Sequence, residues 1–267
     1  MKLVDPSVEI ITEQNPLKRI ELCGRVCYKS EDRITATSAV AFVKRMIRSG
    51  HTSVLEHARI KIDAQANYDE YRAIFATSIP AYRLRCYYGN NSAFPLYITV
   101  NVRDFIAAVP DANVYSIADH DLDLEYYTVR FICDRAIANE LVRHRVFSFS
   151  QESTRYVSYR EGVTFVRPFP FAWADCTNQD ELTFKHYGMW YNAMASAEIA
   201  YRSMCATGLT PQEARDVLPL STKTELVMTG QAYQWREMLK LRLAPSAHPQ
   251  MVYLMKKLVE KIPAIEP

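Results

Sequence analysis

Glycine is scarce in this chain: there are seven in 267 residues. None falls in a G-x-G-x-x-G or G-x-x-x-x-G-K-[ST] spacing. Both patterns put glycine where a strand turns into a helix and the backbone must approach a phosphate with no side chain in the way. A dinucleotide fold of the Rossmann kind is therefore disfavoured. If the chain holds phosphates, it must do so with side chains.

The hydropathy pattern points to an α+β fold with both strands and long helices. Residues 3–12 read as a short strand. Pro16–Tyr28 reads as a helix through Leu17, Ile20, Leu22 and Val26, and Ser38–Ser49 as a second one closed by Gly50 in the left-handed position. His57–Ala64 alternates, with Ala58, Ile60, Ile62 and Ala64 on one face, which predicts a half-buried strand. Leu96–Val102 alternates too. Pro80, Gly89-Asn90-Asn91 and Pro95 mark loops between them, and Asp111–Asp123 reads as a further loop. The apolar spacing of Phe131–Val142 predicts a helix. Gly162–Val166 predicts a short strand ended by Pro168 and Pro170. Beyond it the pattern predicts helices over Glu181–Thr207, closed by Gly208, over the capping box Thr210–Glu213, over Glu225–Leu243 and from Pro249 onward. No repeat, low-complexity tract or Gly/Ser linker divides the chain, so a single domain over 1–267 is expected.

Charge narrows the functional classes. With 32 basic and 30 acidic residues the net charge is +2, which argues against a general nucleic-acid coat. No apolar run reaches the roughly 18–20 residues that span a bilayer, and the N-terminus lacks the core of a signal peptide. A cytoplasmic location and no membrane association are expected. The cysteines at 23, 27, 86, 133, 176 and 205 are scattered and expected to be reduced.

Chemistry concentrates in residues 143–160, RHRVFSFSQESTRYVSYR. Arg143, Arg145, Arg155 and Arg160 offer planar forks of donors suited to phosphate, and the interspersed serines and threonine add short neutral donors. Gln151 and Glu152 could meet a sugar hydroxyl or a base edge. A solvated, salt-bridged loop has the same composition, but Val146, Phe147 and Phe149 favour a partly buried site. A second reading is a base-stacking surface made by Phe147, Phe149, Tyr156 and Tyr159. His51 and His57 are six apart, unlike the spacing of a helical zinc motif. No metal site is expected, and no hydrolase triad has specific support.

Arg143-His144-Arg145, Ser148, Ser153 and Arg155 resemble the RHRxxSxxxxSxR signature of the flavin-dependent thymidylate synthases. Gly50-His51 through Glu56-His57 resembles that family's GHxSxxEH block. Ala214–Pro219 resembles its ARxVLP block, Trp235-Arg236 through Leu241-Arg242 its WRxFxxLR helix, and His248-Pro249-Gln250 its HAQ. The likeness covers roughly residues 1–63 and 131–262, leaving an insert at about 64–130.

The resemblance implies an enzyme that methylates dUMP to dTMP. Methylene-tetrahydrofolate would be the carbon donor, FAD the hydride carrier and NADPH the reductant. It also implies a family-specific α+β fold with a mixed or antiparallel sheet, and a homotetramer with active sites shared between subunits. Carried over by position, dUMP would be held by Glu140, Arg143, Gln151, Glu152, Ser153, Thr154, Arg155, Arg215 and Arg242. Arg242 would face the uracil as the catalytic charge, and Arg215 would reach the phosphate from a neighbouring subunit. FAD would be met by His51, Ser53, Arg143, His144, Arg145, Gln151, Gln231, Ala232, Tyr233, Glu237 and His248. A fixed guanidinium suits the activation of uracil carbon 5, a poor nucleophile, because arginine stays charged at any working pH.

Overall fold

The computed structural model describes residues 1–80, 83–90, 93–169 and 181–267, with residues 181 and 182 as backbone only. The expectations at Asn91, Pro170 and Cys176 lie outside these residues.

The centre is a four-stranded antiparallel sheet. Its strands are β2 (Ser7–Ile11), β6 (Tyr126–Asp134), β9 (Lys223–Gln231) and β7 (Ser148–Gln151), in the order β2-β6-β9-β7. β1 (Lys2–Val4) pairs in parallel with β8 (Thr164–Val166). A separate antiparallel sheet has the order β3-β5-β4, from β3 (Arg59–Asp63), β4 (Leu84–Tyr88) and β5 (Pro95–Asn101). The helices are α1 (Pro16–Val26), α2 (Ser38–Arg48), α3 (Tyr68–Ala76), α4 (Val102–Ala108), α5 (Val114–Ala118), α6 (Arg135–Leu141), α7 (Glu181–Ala206), α8 (Pro211–Ala214), α9 (Ala232–Arg242) and α10 (Pro249–Lys261). The chain is therefore α+β, with two antiparallel sheets and one parallel strand pair.

Both long central strands overturn the sequence expectation. Phe131–Val142 is not one helix: β6 runs to Asp134 and only α6 follows. Glu225–Leu243 is likewise divided between β9 and α9. The reason is burial on two sides. One face of the sheet carries Val129, Phe131, Leu226 and Met228 into a core with Trp235, Met238 and Leu239 of α9 and Leu254 and Leu258 of α10. The other face gives Val227 to Cys23 and Val26 of α1. Three consecutive apolar residues, Phe131–Cys133 in one strand and Leu226–Met228 in the other, break the alternation expected of a half-buried strand. Each passes directly into its helix with no proline or loop between them. The caps are Asp134, whose carboxylate accepts from the Ile137 N–H at 2.8 Å, and Gln231, which forms a reciprocal box with Gln234.

Smaller differences have local causes. Residues 3–12 divide into β1 and β2 around Pro6. The expected loop Asp111–Asp123 contains α5, started by Asn113, whose side chain accepts from the Tyr115 N–H. Gly50 and Gly208 adopt φ of 72° and 109°, as helix-closing residues should. The five described cysteines are free thiols.

The β3-β5-β4 sheet and the helices around it form a second core with Leu17, Ile20, Phe42, Leu55, Ile60, Ile98 and Phe105. Glu56 ties that region to the central sheet. Its carboxylate accepts from Arg83 and Arg103 on one oxygen and from the Ser148 hydroxyl of β7 on the other. His57 adds a second tie. It is fully buried, with Nδ1 2.8 Å from Thr229 Oγ1 and Nε2 2.8 Å from Ser150 Oγ.

Candidate functional site

α6 delivers the chain into the arginine-rich segment, and Phe147 anchors that segment. Its ring is buried 4.6 Å from Trp235. It also lies against Gly230, where a Cβ would come within 2.4 Å of the ring. β7 then runs along the edge of the sheet beside β9. Phe147 and Tyr159 are both buried, so they offer no face to a nucleic-acid base.

At the start of the segment, Arg242 at the end of α9 meets two expected site residues. Its Nη1 donates to Glu140 Oε2 at 2.6 Å and its Nη2 to the Glu140 carbonyl at 2.9 Å. Its Nε donates to His144 Nε2 at 2.9 Å. Burial and the adjacent guanidinium push the His144 pKa down to about 4. The ring is therefore neutral near pH 7. Arg143 and Arg145, on either side of it, are exposed, and neither side chain makes a hydrogen bond or ion pair with a described residue.

At the other end, the Ser153 N–H donates to the Cys27 carbonyl at 3.1 Å. Tyr156 packs against Tyr28, with ring centroids 5.4 Å apart, and the Tyr28 hydroxyl lies 2.9 Å from His51 Nδ1. Tyr28 and His51 edge a recess of about 460 Å³ whose wall also includes Lys29, Arg33 and Arg45. Arg155 Nε donates to Gln212 of α8 at 2.9 Å. The side chain of Arg215, the residue after α8, is 40% exposed, and among the described residues its only ion-pair partner is Asp216 at 4.0 Å. The two ends are held apart by extended β7, a span of about 10 Å at roughly 3.3 Å per residue. The sequence-derived residues thus form two clusters on one chain, one around Arg242 and one around His51 and Tyr28.

Several expected contacts are committed inside the protein. The Glu152 side chain is 2% exposed; its carboxylate accepts from Tyr159 Oη at 2.7 Å and Lys223 Nζ at 2.8 Å. Lys223 also pairs with Glu225, which binds Lys29 and Arg130 as well. Burial alone would raise the Glu225 pKa, but hydrogen bonds from Lys223 and Lys29 outweigh it and hold the pKa at about 2. Thr154 and Gln231 are buried, and Gln231 bonds to the Tyr126 hydroxyl. Gln151 reaches Thr224 at 3.4 Å. Ala232 is half-buried and Ser53 is exposed. Tyr233 and Glu237 lie one turn apart on the exposed face of α9, and Glu237 pairs with Lys240 at 2.6 Å. His248 caps α10 by accepting from the Gln250 N–H at 3.2 Å.

The sequence reading did not find Tyr28, Lys223 or Gln212. Tyr28 stands just past a helix end and Lys223 at a strand start, with no pattern to mark either. Gln212 lies inside the capping box, but nothing in that box names Arg155 as its partner. Among the described residues no group of three or more His, Cys, Asp or Glu is placed to hold a metal.

Residues 9–67 and 117–267 match the family model described as thymidylate synthase complementing protein, well over half of the chain. The unmatched stretch, 68–116, carries α3, β4, β5 and α4. The chain is 22% identical to a flavin-dependent thymidylate synthase of Geobacter sulfurreducens, over 95% of this chain and 80% of that protein. It is 24% identical to one from Mycobacterium leprae, over 92% and 77%. A third, from Pyrococcus abyssi, is 28% identical over 61% of this chain and 64% of the relative. Among solved structures, the fold resembles a UMP/dUMP methylase, PolB from Streptomyces cacaoi, bound with 5-Br UMP. The TM-score is 0.51 at 16% identity, covering 100% of this chain and 93% of that one.

Proposed function

Because the chain belongs to the thymidylate synthase complementing protein family, the flavin-dependent thymidylate synthases, we propose that it converts dUMP to dTMP. In this reading methylene-tetrahydrofolate supplies the carbon, NADPH is the reductant and FAD is the hydride carrier. The observation that carries the reading is the placement of Arg242, a guanidinium oriented from two sides by Glu140 and His144.

The donor set fits a flavin dinucleotide. Its pyrophosphate needs donors that no glycine loop of this chain provides, and Arg143 and Arg145 are exposed with uncommitted guanidinium groups. With His51, Ser53, His144 and the exposed Tyr233 they would hold it. Gln151, Gln231, Ala232, Glu237 and His248 belong to the same proposed region. The flavin, once bound, supplies the hydride that completes the methyl group.

The chain's own work is binding and charge. Arg155, held by Gln212, and Arg215, reaching in from a neighbouring subunit, take the nucleotide phosphate. Arg143, Gln151 and Ser153 line the sugar and base, and the buried Thr154 lies beneath them. Arg242 faces the uracil and stabilises the negative charge that develops when carbon 5 attacks. Glu140 contributes by holding Arg242, and Glu152 by holding Lys223 behind Gln151.

The two clusters stand on opposite ends of β7. A homotetramer whose sites combine clusters from different subunits accounts for that separation. Large apolar residues exposed on α7, including Phe184 at 72% and Ile199 at 66%, are suited to such an interface. No helix among the described residues is long and apolar enough to cross a membrane, and we place the enzyme in the cytoplasm.

The test is product formation. Purified protein supplied with FAD, NADPH and methylene-tetrahydrofolate should convert dUMP to dTMP while oxidising NADPH. Binding of FAD without any dTMP refutes the substrate assignment, and failure to bind FAD refutes the cofactor.

A further inference from the structure

Arg242 makes its three contacts with groups of different charge. Glu140 supplies a carboxylate oxygen and a backbone carbonyl, and the third acceptor is a ring nitrogen of His144. An arginine Nε–H can only donate, so His144 Nε2 must be the bare nitrogen and the ring proton must sit on Nδ1. We propose that His144 is a positioning residue for Arg242: its neutral Nε2 fixes the guanidinium at Nε, the one nitrogen that Glu140 does not hold, and adds no negative charge. This rests on the reading of Arg242 as the charge that faces the uracil.

The choice of acceptor decides the electrostatics. A guanidinium has five N–H donors, and three of Arg242's are spent on Glu140 and His144. One N–H remains on each Nη for a substrate oxygen. A second carboxylate at position 144 would hold Arg242 as firmly but, added to Glu140, would leave the cluster net negative. A neutral imidazole accepts one hydrogen bond and leaves the net charge to Glu140 alone. The ring is itself steadied by the edge of Phe147, with centroids 6.5 Å apart. Phe147 is in turn fixed by Trp235 and Gly230. Nδ1–H makes no hydrogen bond with a described residue, so it remains a donor toward a ligand.

Two measurements test this. The first is nitrogen-15 NMR of the histidine rings in the wild-type protein near neutral pH, with and without Arg242→Ala. The expected result is an Nδ1–H tautomer for His144 that gains protons more readily once Arg242 is removed. An Nε2–H tautomer or an imidazolium in the wild type overturns the proposal. The second is kinetics. His144→Leu, which keeps bulk but no acceptor, should lower kcat by about a hundredfold, the scale of a misplaced catalytic group, with KM for dUMP changed far less. His144→Gln, whose amide oxygen can replace Nε2, should recover most of that loss. Equal loss in both variants, with both folded by circular dichroism, overturns the acceptor role. Should the wild type show the Nδ1–H tautomer yet make no dTMP, the functional reading fails and the contact is structural only.

Discussion

The side-chain amide of Gln250 donates to Asp134 Oδ2 at 2.8 Å, across 116 residues of chain. The other oxygen of Asp134 caps α6. The first turn of α10 is thereby locked to the first turn of the helix that carries Glu140, and Glu140 holds Arg242. Both partners are buried. Gln250→Ala leaves a buried carboxylate oxygen without its donor, and stability should fall by about 1–3 kcal/mol. Urea denaturation checks this; a change too small to resolve would mean that water replaces the amide at no cost.

Arg242→Ala should lower kcat for dTMP formation by about 10²–10³-fold, the scale of removing one preorganised electrostatic group. Arg242→Lys should be nearly as impaired, because an ammonium cannot reach Glu140 twice and His144 once from a planar fork. Melting curves should show both variants folded. Wild-type turnover in either would remove Arg242 from the chemistry.

His57 predicts an acid-sensitive fold. Burial pushes its pKa down from 6.5 to about 3. The folded-state value is the lower one, so the unfolded chain binds the proton first as pH falls. The stability His57 confers is complete above pH 6.5 and is lost as pH drops from 6.5 towards 3. The slope from this group is at most about 1.4 kcal/mol per pH unit. His144 acts with the same sign down to about 4. Glu225 is different: its depressed pKa of about 2 makes its contribution full above 4.5 and lost only below that. Denaturation at about pH 8 and about pH 5 isolates the histidines. His57→Gln should flatten the difference, and an unchanged slope would contradict the assignment.

Gly230 has no room for a methyl group. A Cβ there would meet Phe147 at 2.4 and 2.5 Å and Gln234 Oε1 at 3.0 Å. Gly230→Ala should cost about 1–3 kcal/mol, the range for overpacking, and Phe147→Leu in the same chain should return part of it. An additive double variant, measured by thermal or urea unfolding, would show that the two residues do not press on each other.

Much of the periphery was legible because its signals are local. Gly50, the Thr210–Glu213 box and the alternation of Ile60 and Ile62 each specify structure within a few residues, and each is where it was expected. The centre was not. β6 and β9 each carry three apolar residues in a row, Phe131–Cys133 and Leu226–Met228, because both faces of the sheet are packed there, and the period of two is lost at those positions. Asp134 and Gln231 begin helices with no break after the strand. The signature blocks were visible as residue identities, and Glu140 as a neighbour one turn before Arg143. Their mutual geometry was not, since the Arg242–His144 contact joins positions 98 residues apart. Tyr28, which connects His51 to Tyr156, acquires that role only when α1 is laid beside the end of the signature.

The central claim is that the protein replaces the hydrogen on uracil carbon 5 with a methyl group. The most direct measurement uses dUMP tritiated at carbon 5, with FAD, NADPH and methylene-tetrahydrofolate. Tritium should be released to water in equal amount to the dTMP formed, with no dTMP when FAD is withheld. Flavin-bound protein that oxidises NADPH but yields neither dTMP nor released tritium would contradict it.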